Sequence, residues 1–139
     1  MGCDIHTHAE IRRDGAWEHV GKVFPTDEFE RKYSGEQFTD EPFSWRDYQM
    51  FERLAGVRAH GLREPLSIPR GLPEDISAET RSAFNDWQPD AHSISWLSLA
   101  DLLRADLPAD DFAGFYEHVK VLQSLGAPDD VRVVFWFDN

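Results

Sequence analysis

Near its N-terminus the chain carries side chains that could bind a metal ion, at alternate positions: Asp4, His6 and His8. In a β-strand alternate side chains point to the same face, so a strand here would present a carboxylate and two imidazoles together. These groups are ligands of Zn²⁺ or Mn²⁺. The spacing predicts a metal site, with Asp138 as a further ligand. Metal-free polar recognition and a solvated strand face are the alternatives.

A second group of reactive side chains lies in a central segment rich in glycine and proline. Arg58, Arg63 and Arg70 give this loop positive charge in an acidic protein. Guanidinium groups form paired hydrogen bonds with phosphates and carboxylates. We therefore predict that the three arginines bind an anion; the alternative is that they neutralise an acidic surface.

The third group is the segment 90–96, which we interpret as a connector before a helix. It contains His92, Ser93 and Ser95, whose side chains and backbone N–H groups could hold an anion or cap the helix. His92 is also a candidate catalytic acid or base. A serine hydrolase is not favoured, because no G-x-S-x-G motif surrounds these serines.

Two strands at the ends of the chain must position the first group. The segment 130–139 is dense in β-branched and aromatic residues, with an apolar face formed by alternate positions. If it lies beside the N-terminal strand, Trp136 and Asp138 join His6 and His8 on one face. Asp14-Gly15 is typical of a two-residue hairpin turn. This turn pairs Arg12 with Trp17 and Glu10 with His19, in a second strand that would continue to about Phe24.

Helices are predicted from capping residues and apolar periodicity. The expected helices begin after Ser44 and stop at Gly56, cover 78–87 after Ser77, run from Ser98 to about Ala105, and cover 110–125. Pro25 to Asp40 is expected to be irregular or partly helical. Together these elements predict a single α+β domain over residues 1–139, in which a small, largely antiparallel sheet is covered by three or four helices.

Composition excludes several classes of function. The 139 residues carry a formal net charge of −12, which disfavours binding to a nucleic acid duplex. No apolar run is long enough for a membrane helix, so no membrane association is expected. The single cysteine, Cys3, cannot form an internal disulfide and fits a reducing cytoplasm. We expect a cytoplasmic protein with Cys3 in its core.

The chain resembles an uncharacterised family of small proteins carried by bacteriophages and prophages. The resemblance spans the chain and rests on five segments: the opening Met-Gly-Cys-Asp-Ile-His, 51–58, 69–73, 92–97 and 133–139. The segment 25–45 contributes nothing to it. The resemblance implies an accessory role in the host cytoplasm and names no reaction.

The leading functional hypothesis is a phage accessory protein that binds a small anionic ligand, nucleotide-like in character. Such a protein could sequester a host signalling molecule. The predicted ligand-binding residues are Arg58, Arg63, Arg70, His92, Ser93, Ser95 and Trp136. The first alternative is a metal-dependent hydrolase. The second is an acidic protein that inhibits a basic host partner.

Overall fold

The fold is organised around a four-stranded antiparallel sheet that joins the two ends of the chain. We describe a computed structural model that covers residues 2–139. The chain forms, in order, β1 (Asp4–Arg13), β2 (Ala16–His19), β3 (Phe24–Pro25), α1 (Glu28–Ser34), β4 (Phe38–Thr39), α2 (Tyr48–Ala55), α3 (Ala78–Trp87), β5 (His92–Ser98), α4 (Leu99–Leu102), α5 (Ala113–Leu125) and β6 (Val131–Asp138). The order in the sheet is β2-β1-β6-β5, and β3 pairs with β4 separately. The predicted α+β class is confirmed.

The pairing of the two terminal strands is confirmed, and Trp136 and Asp138 share a face with His6 and His8 as predicted. Asp4 lies opposite Asp138 and His6 opposite Trp136. Alternate residues of both strands therefore share a face, and on one face they are apolar. Phe135 and Phe137 are buried on that face. Burying a phenylalanine stabilises a fold by roughly 1.5–3 kcal/mol, so these side chains anchor β6 in the sheet.

The larger core fills the space between this face and three helices. Helix α2 contributes Met50, Phe51 and Leu54, while α4 and α5 add further leucines and Phe115. Cys3 is also buried in this core, as predicted. Inside it, His118 of α5 accepts a hydrogen bond from the Phe43 N–H (2.8 Å) and contacts the Pro25 carbonyl (2.9 Å). This buried imidazole fastens the segment between β3 and α2 to α5.

A smaller core covers the opposite face of the sheet. Phe84 of α3 packs against Val134 and Trp136 of β6, with Trp87 and Ile94 around them. Ser77 caps α3 by accepting a hydrogen bond from the Thr80 N–H, as its position in the sequence predicts. The sheet is therefore covered on both faces, and α3 lies across the face that carries the histidines.

Several element boundaries differ from the sequence predictions. The segment 90–96 is not a connector, because His92–Ser98 forms the edge strand β5 and pairs with β6. Strand β2 ends at His19 instead of continuing to Phe24, which pairs in the smaller sheet. The helix expected after Ser44 is capped by Asp47, whose carboxylate accepts from Gln49 and Met50, and Gly56 ends it in a left-handed conformation as predicted.

The remaining differences concern shorter segments. Residues 25–40 are partly helical as predicted, since they contain α1, but the pairing of Phe24–Pro25 with Phe38–Thr39 was not predicted. The helix capped by Ser98 ends at Leu102 rather than near Ala105, and the last helix begins at Ala113 rather than at 110. The capping box of Ser98 and Asp101 is complete.

Candidate functional site

A buried ion pair at the N-terminal end of α3 divides the covered face of the sheet into two clefts. Glu10 of β1 is fully buried, and its Oε1 accepts hydrogen bonds from Arg132 Nε (3.0 Å) and Nη2 (2.8 Å). Its Oε2 accepts from the Ser77 N–H and from the Thr80 hydroxyl, both at 2.8 Å. Burial alone raises the pKa of Glu10, but the hydrogen bonds from Ser77, Arg132 and Thr80 outweigh this effect and hold the pKa below its ordinary value.

We call the first of these spaces the arginine cleft. Its volume is about 760 Å³, within the range of small-molecule sites. Its lining residues are Arg12, Trp17, Arg70, Pro73, Asp75, Trp96, Ser98, Asp101, Asp129 and Arg132. The hairpin register that faces Arg12 with Trp17 is confirmed.

Three guanidinium groups in the arginine cleft lie over two indole rings. The Arg132 guanidinium carbon is 3.9 Å from the centre of the Trp17 ring, and that of Arg12 is 5.2 Å from the same ring. Arg70 lies 4.6 Å over Trp96. Cation–π contacts of this kind hold flat groups in fixed positions. The cleft therefore presents guanidinium hydrogen-bond donors in fixed positions beside the indole rings.

Each guanidinium group of the arginine cleft already forms an ion pair with a carboxylate. Arg132 Nη1 lies 3.0 Å from Asp75, and Arg12 Nη2 lies 2.9 Å from Asp130. The Asp75 side chain is 66% exposed and that of Asp130 is 45% exposed. The Arg12–Asp130 pair is exposed on both sides and stabilises by only about 0–1 kcal/mol, so an incoming anion could replace Asp130 at little cost. In the other pair only the Asp75 side is open to solvent, because the Arg132 side chain is 5% exposed.

Arg70 is held in place by several hydrogen bonds. Its Nη1 donates to Asp101 (2.8 Å) and its backbone N–H donates to the Ser95 hydroxyl (3.0 Å). Although burial opposes it, hydrogen bonding by Arg70 and Ser98 lowers the pKa of Asp101. The structure thus joins two residues predicted to bind ligand, but Ser95 is buried and does not line the cleft, so its predicted role is corrected: it positions Arg70 instead of contacting a ligand.

Arg58 and Arg63, which the sequence grouped with Arg70, are not lining residues of this cleft. The Arg58 guanidinium lies 5.2 Å over the Tyr48 ring. Arg63 donates to Gln49 (3.1 Å) and lies 5.7 Å over Phe112. The three arginines contact different side chains, so the loop does not gather them into one anion site.

Three other predicted ligand residues, His92, Ser93 and Trp136, are placed away from this cleft. His92 Nδ1 lies 3.0 Å from the Ser93 hydroxyl, and His92 Nε2 lies 2.8 Å from Asn139 Oδ1. Trp136 is fully buried, so it presents no surface to a ligand, which corrects its predicted role. Its indole Nε1 is buried without a hydrogen-bond partner among the described residues.

The second space, the histidine cleft, lies on the other side of the Glu10 ion pair. Its volume is about 670 Å³, and its lining residues are His8, His19, Gly21, Asp40, Ala78, Glu79, Ser82, Ala83 and Asp86. His8 Nδ1 and His19 Nε2 are 3.3 Å apart. The His8 ring stacks on Trp136, with 5.2 Å between ring centres. Burial, reinforced by the neighbouring His19, lowers the pKa of His8 to about 4.

The four predicted metal ligands do not converge in this arrangement. Asp4 receives a hydrogen bond from Arg46 Nε (2.9 Å), while His6 Nε2 contacts Asp138 (2.9 Å) and its ring stacks on Trp87. Within residues 2–139, no three His, Cys, Asp or Glu side chains are placed to hold one metal ion. The register was predicted well, but Arg46 and Trp87 come from elements whose approach the strand pattern could not reveal.

The sequence reasoning missed most of the residues that line the arginine cleft. The hairpin turn predicts that Arg12 lies opposite Trp17, but it assigns neither residue a functional role. The available signal was the register itself, because pairing β1 with both β2 and β6 puts Arg12, Trp17 and Arg132 close together. Trp96 could not be added, since β5 was not recognised as a strand.

Comparisons with known proteins return no match. No protein-family model matches the chain, and neither a curated protein nor a solved structure is significantly similar to it. Among the helices of residues 2–139, none is long and apolar enough to cross a membrane. The phage resemblance accordingly stays a prediction.

Proposed function

We propose that this protein binds a small anion that carries a flat aromatic group, such as a nucleotide, in the arginine cleft. The observation that supports this proposal is the arrangement of Arg12, Arg70 and Arg132 over the Trp17 and Trp96 rings. Guanidinium groups recognise phosphate through paired hydrogen bonds, and indole rings stack on nucleobases. An accessory protein that binds such a ligand without converting it would sequester it.

The charge balance of the cleft fits this ligand class. The lining holds three arginines and three aspartates, and Glu10 and Asp130 also pair with Arg132 and Arg12, in a protein with a net charge of −12. An anion therefore meets less repulsion here than over an average acidic surface. Asp75 acts as an internal competitor, because it contacts Nη1 of Arg132, the nitrogen that Glu10 does not engage.

The test is calorimetric titration of the full chain with AMP, GMP and inorganic phosphate. A charge-assisted hydrogen bond contributes about 1.5–3 kcal/mol, so Arg12→Gln should weaken nucleotide binding by roughly 10-fold or more. Trp96→Leu should weaken nucleotide binding but leave phosphate binding unchanged. Asp75→Asn should strengthen both, since it removes the competing carboxylate.

Arg63→Gln is the matched control, because Arg63 contacts Gln49 and Phe112 outside the cleft. Its affinity for nucleotides should equal that of the parent. If the three probes all fail to bind, or if Arg12→Gln and Arg63→Gln bind alike, the arginine cleft is not an anion site.

One observation favours docking on a basic host protein as a second candidate function. The rings of Phe29 and Tyr33 pack together on the surface, with 67% and 81% of these residues exposed, and Phe38 is 49% exposed nearby. An apolar patch on an acidic protein suits a partner with a basic surface. Binding of such a partner that survives Arg12→Gln but is lost in Tyr33→Ser would support this alternative.

A further inference from the structure

The histidine cleft contains two imidazoles that the arginine cleft does not use. His8 belongs to β1 and His19 to β2, and Glu10 is the residue directly opposite His19. His8 and His19 are therefore diagonal neighbours on one face of a hairpin, a relation that long side chains can span. Hydrogen bonding continues beyond β2, where the Val20 N–H donates to the Ala9 carbonyl at 2.9 Å. Backbone pairing between the two strands therefore continues both before and after His19, and it fixes the positions of the two histidines.

The separation of the two ring nitrogens matches metal coordination. His8 Nδ1 and His19 Nε2 are 3.3 Å apart. Metal–nitrogen bonds of about 2.0–2.1 Å at a tetrahedral angle place two ligand nitrogens roughly 3.3–3.4 Å apart. The two nitrogens are therefore already separated by the distance expected for two ligands of one ion.

The surroundings of the pair favour a cation. Asp40 lies close enough for its charge to act on His8, and Glu79 and Asp86 of α3 also line the cleft. No arginine or lysine is among the lining residues. The stack of His8 on Trp136 restrains one ring in advance. A bound ion would thus meet a partly fixed ligand pair in a negatively charged space.

We propose that His8 and His19 form a binding site for a divalent transition metal, with Zn²⁺ and Ni²⁺ as the preferred ions. Imidazole nitrogen suits both ions, whereas Mg²⁺ prefers oxygen ligands. Water fills the remaining coordination positions, and Asp40 contributes negative charge nearby. Since a third ligand is not already in place among the described residues, the site is open and exchangeable. It retains His8 from the ligand set predicted from the sequence and replaces the other three residues with His19.

This site is independent of the arginine cleft, and its test uses the metal alone. The metal-free full chain is titrated calorimetrically with ZnCl₂, NiCl₂ and MgCl₂ at pH 7.5. We expect one Zn²⁺ or Ni²⁺ per chain and no heat from Mg²⁺. Co²⁺ offers a second readout, because a tetrahedral site gives intense visible absorption bands that hydrated Co²⁺ lacks.

His19→Gln is the informative variant, because His19 lies at the end of β2 and is partly exposed. Changes next to metal ligands typically cost about 10–100-fold in affinity, so loss of a ligand should cost at least 10-fold. His92→Gln is the matched control, since His92 contacts Ser93 and Asn139 away from this cleft. Far-UV circular dichroism establishes that each variant is folded.

Three outcomes would overturn the proposal. The first is parent protein that binds neither Zn²⁺ nor Ni²⁺. The second is a folded His19→Gln variant with the affinity of the parent. The third is an equal loss in His19→Gln and His92→Gln, which would indicate non-specific binding to surface imidazoles.

Discussion

The buried pair of Glu10 and Arg132 provides the sharpest test of how this fold is held together. The Glu10 side chain is fully buried and that of Arg132 is 5% exposed. Replacement of Glu10 by alanine leaves the guanidinium with its remaining contacts to Asp75 and Trp17. Removing one partner of a buried ion pair destabilises a protein by about 3–5 kcal/mol, because the other charge stays buried. We expect Glu10→Ala to lower the free energy of unfolding by this amount.

This loss of unfolding free energy should come more from the unpaired charge of Arg132 than from the contacts that the Glu10 side chain no longer makes. Replacing both partners by apolar residues of similar size is often neutral or stabilising. The double variant Glu10→Met with Arg132→Met should therefore be more stable than Glu10→Ala alone. Glu10→Gln keeps an acceptor for Ser77 and Thr80, so its stability should lie between those of Glu10→Ala and the parent.

Urea unfolding at pH 7, followed by tryptophan fluorescence and by far-UV circular dichroism, measures these differences. The slope of the free energy against urea should be unchanged, which shows that the same surface is exposed in each case. A loss below about 1 kcal/mol for Glu10→Ala would refute the reasoning. The reasoning would also be refuted if the double variant lost as much unfolding free energy as the single variants Glu10→Met and Arg132→Met lose in sum, because the two residues would then be uncoupled.

Three further predictions follow from other buried or constrained residues. The pKa of His8 is lowered to about 4, against about 6.5 in an unfolded chain, so the unfolded state binds more protons between these pH values and the free energy of unfolding falls as the pH drops. We expect His8→Gln to reduce the loss of this free energy between pH 7 and pH 5 by about 2 kcal/mol, measured by urea unfolding. Equal losses in the parent and the variant would contradict this prediction. Gly56 ends α2 at φ +72°, so Gly56→Ala should cost about 1–2 kcal/mol in the same assay, while Gly21→Ala, with open space around it, should cost much less. The buried Cys3 thiol, whose pKa is raised by burial, should react with a thiol reagent far more slowly in native protein than in urea; equal rates would place it at the surface.

The sequence determined the parts of the fold that depend on local pattern. The alternation of apolar residues in β1 and β6 set which face of each strand is buried, and Asp14-Gly15 set the hairpin register. Helix starts at Ser77 and Ser98 followed from side-chain capping of free N–H groups. These signals act over a few residues, so they can be recognised without the rest of the chain.

Strand β5 shows where local pattern stops being sufficient. His92, Ser93 and Ser95 are polar, and Ser93 has a φ of +52°, so the segment carries little strand signal of its own. It becomes a strand because β6 offers an unpaired edge and because Trp96 can pack beside the smaller core. The pairing is decided by a partner located far along the chain.

The candidate sites were decided in the same way by tertiary structure. The sequence placed Asp4, His6 and His8 on one face, but Arg46 and Trp87 approach that face from separate elements and engage Asp4 and His6. The arginines grouped by sequence are likewise distributed among different partners. Side-chain type and strand register are local properties, whereas the contacts of a polar group depend on which elements pack over it. The strand register places His8 beside His19 and Arg12 near Arg132, whereas packing decides that Arg70 joins that cleft and that Asp4 and His6 are engaged elsewhere.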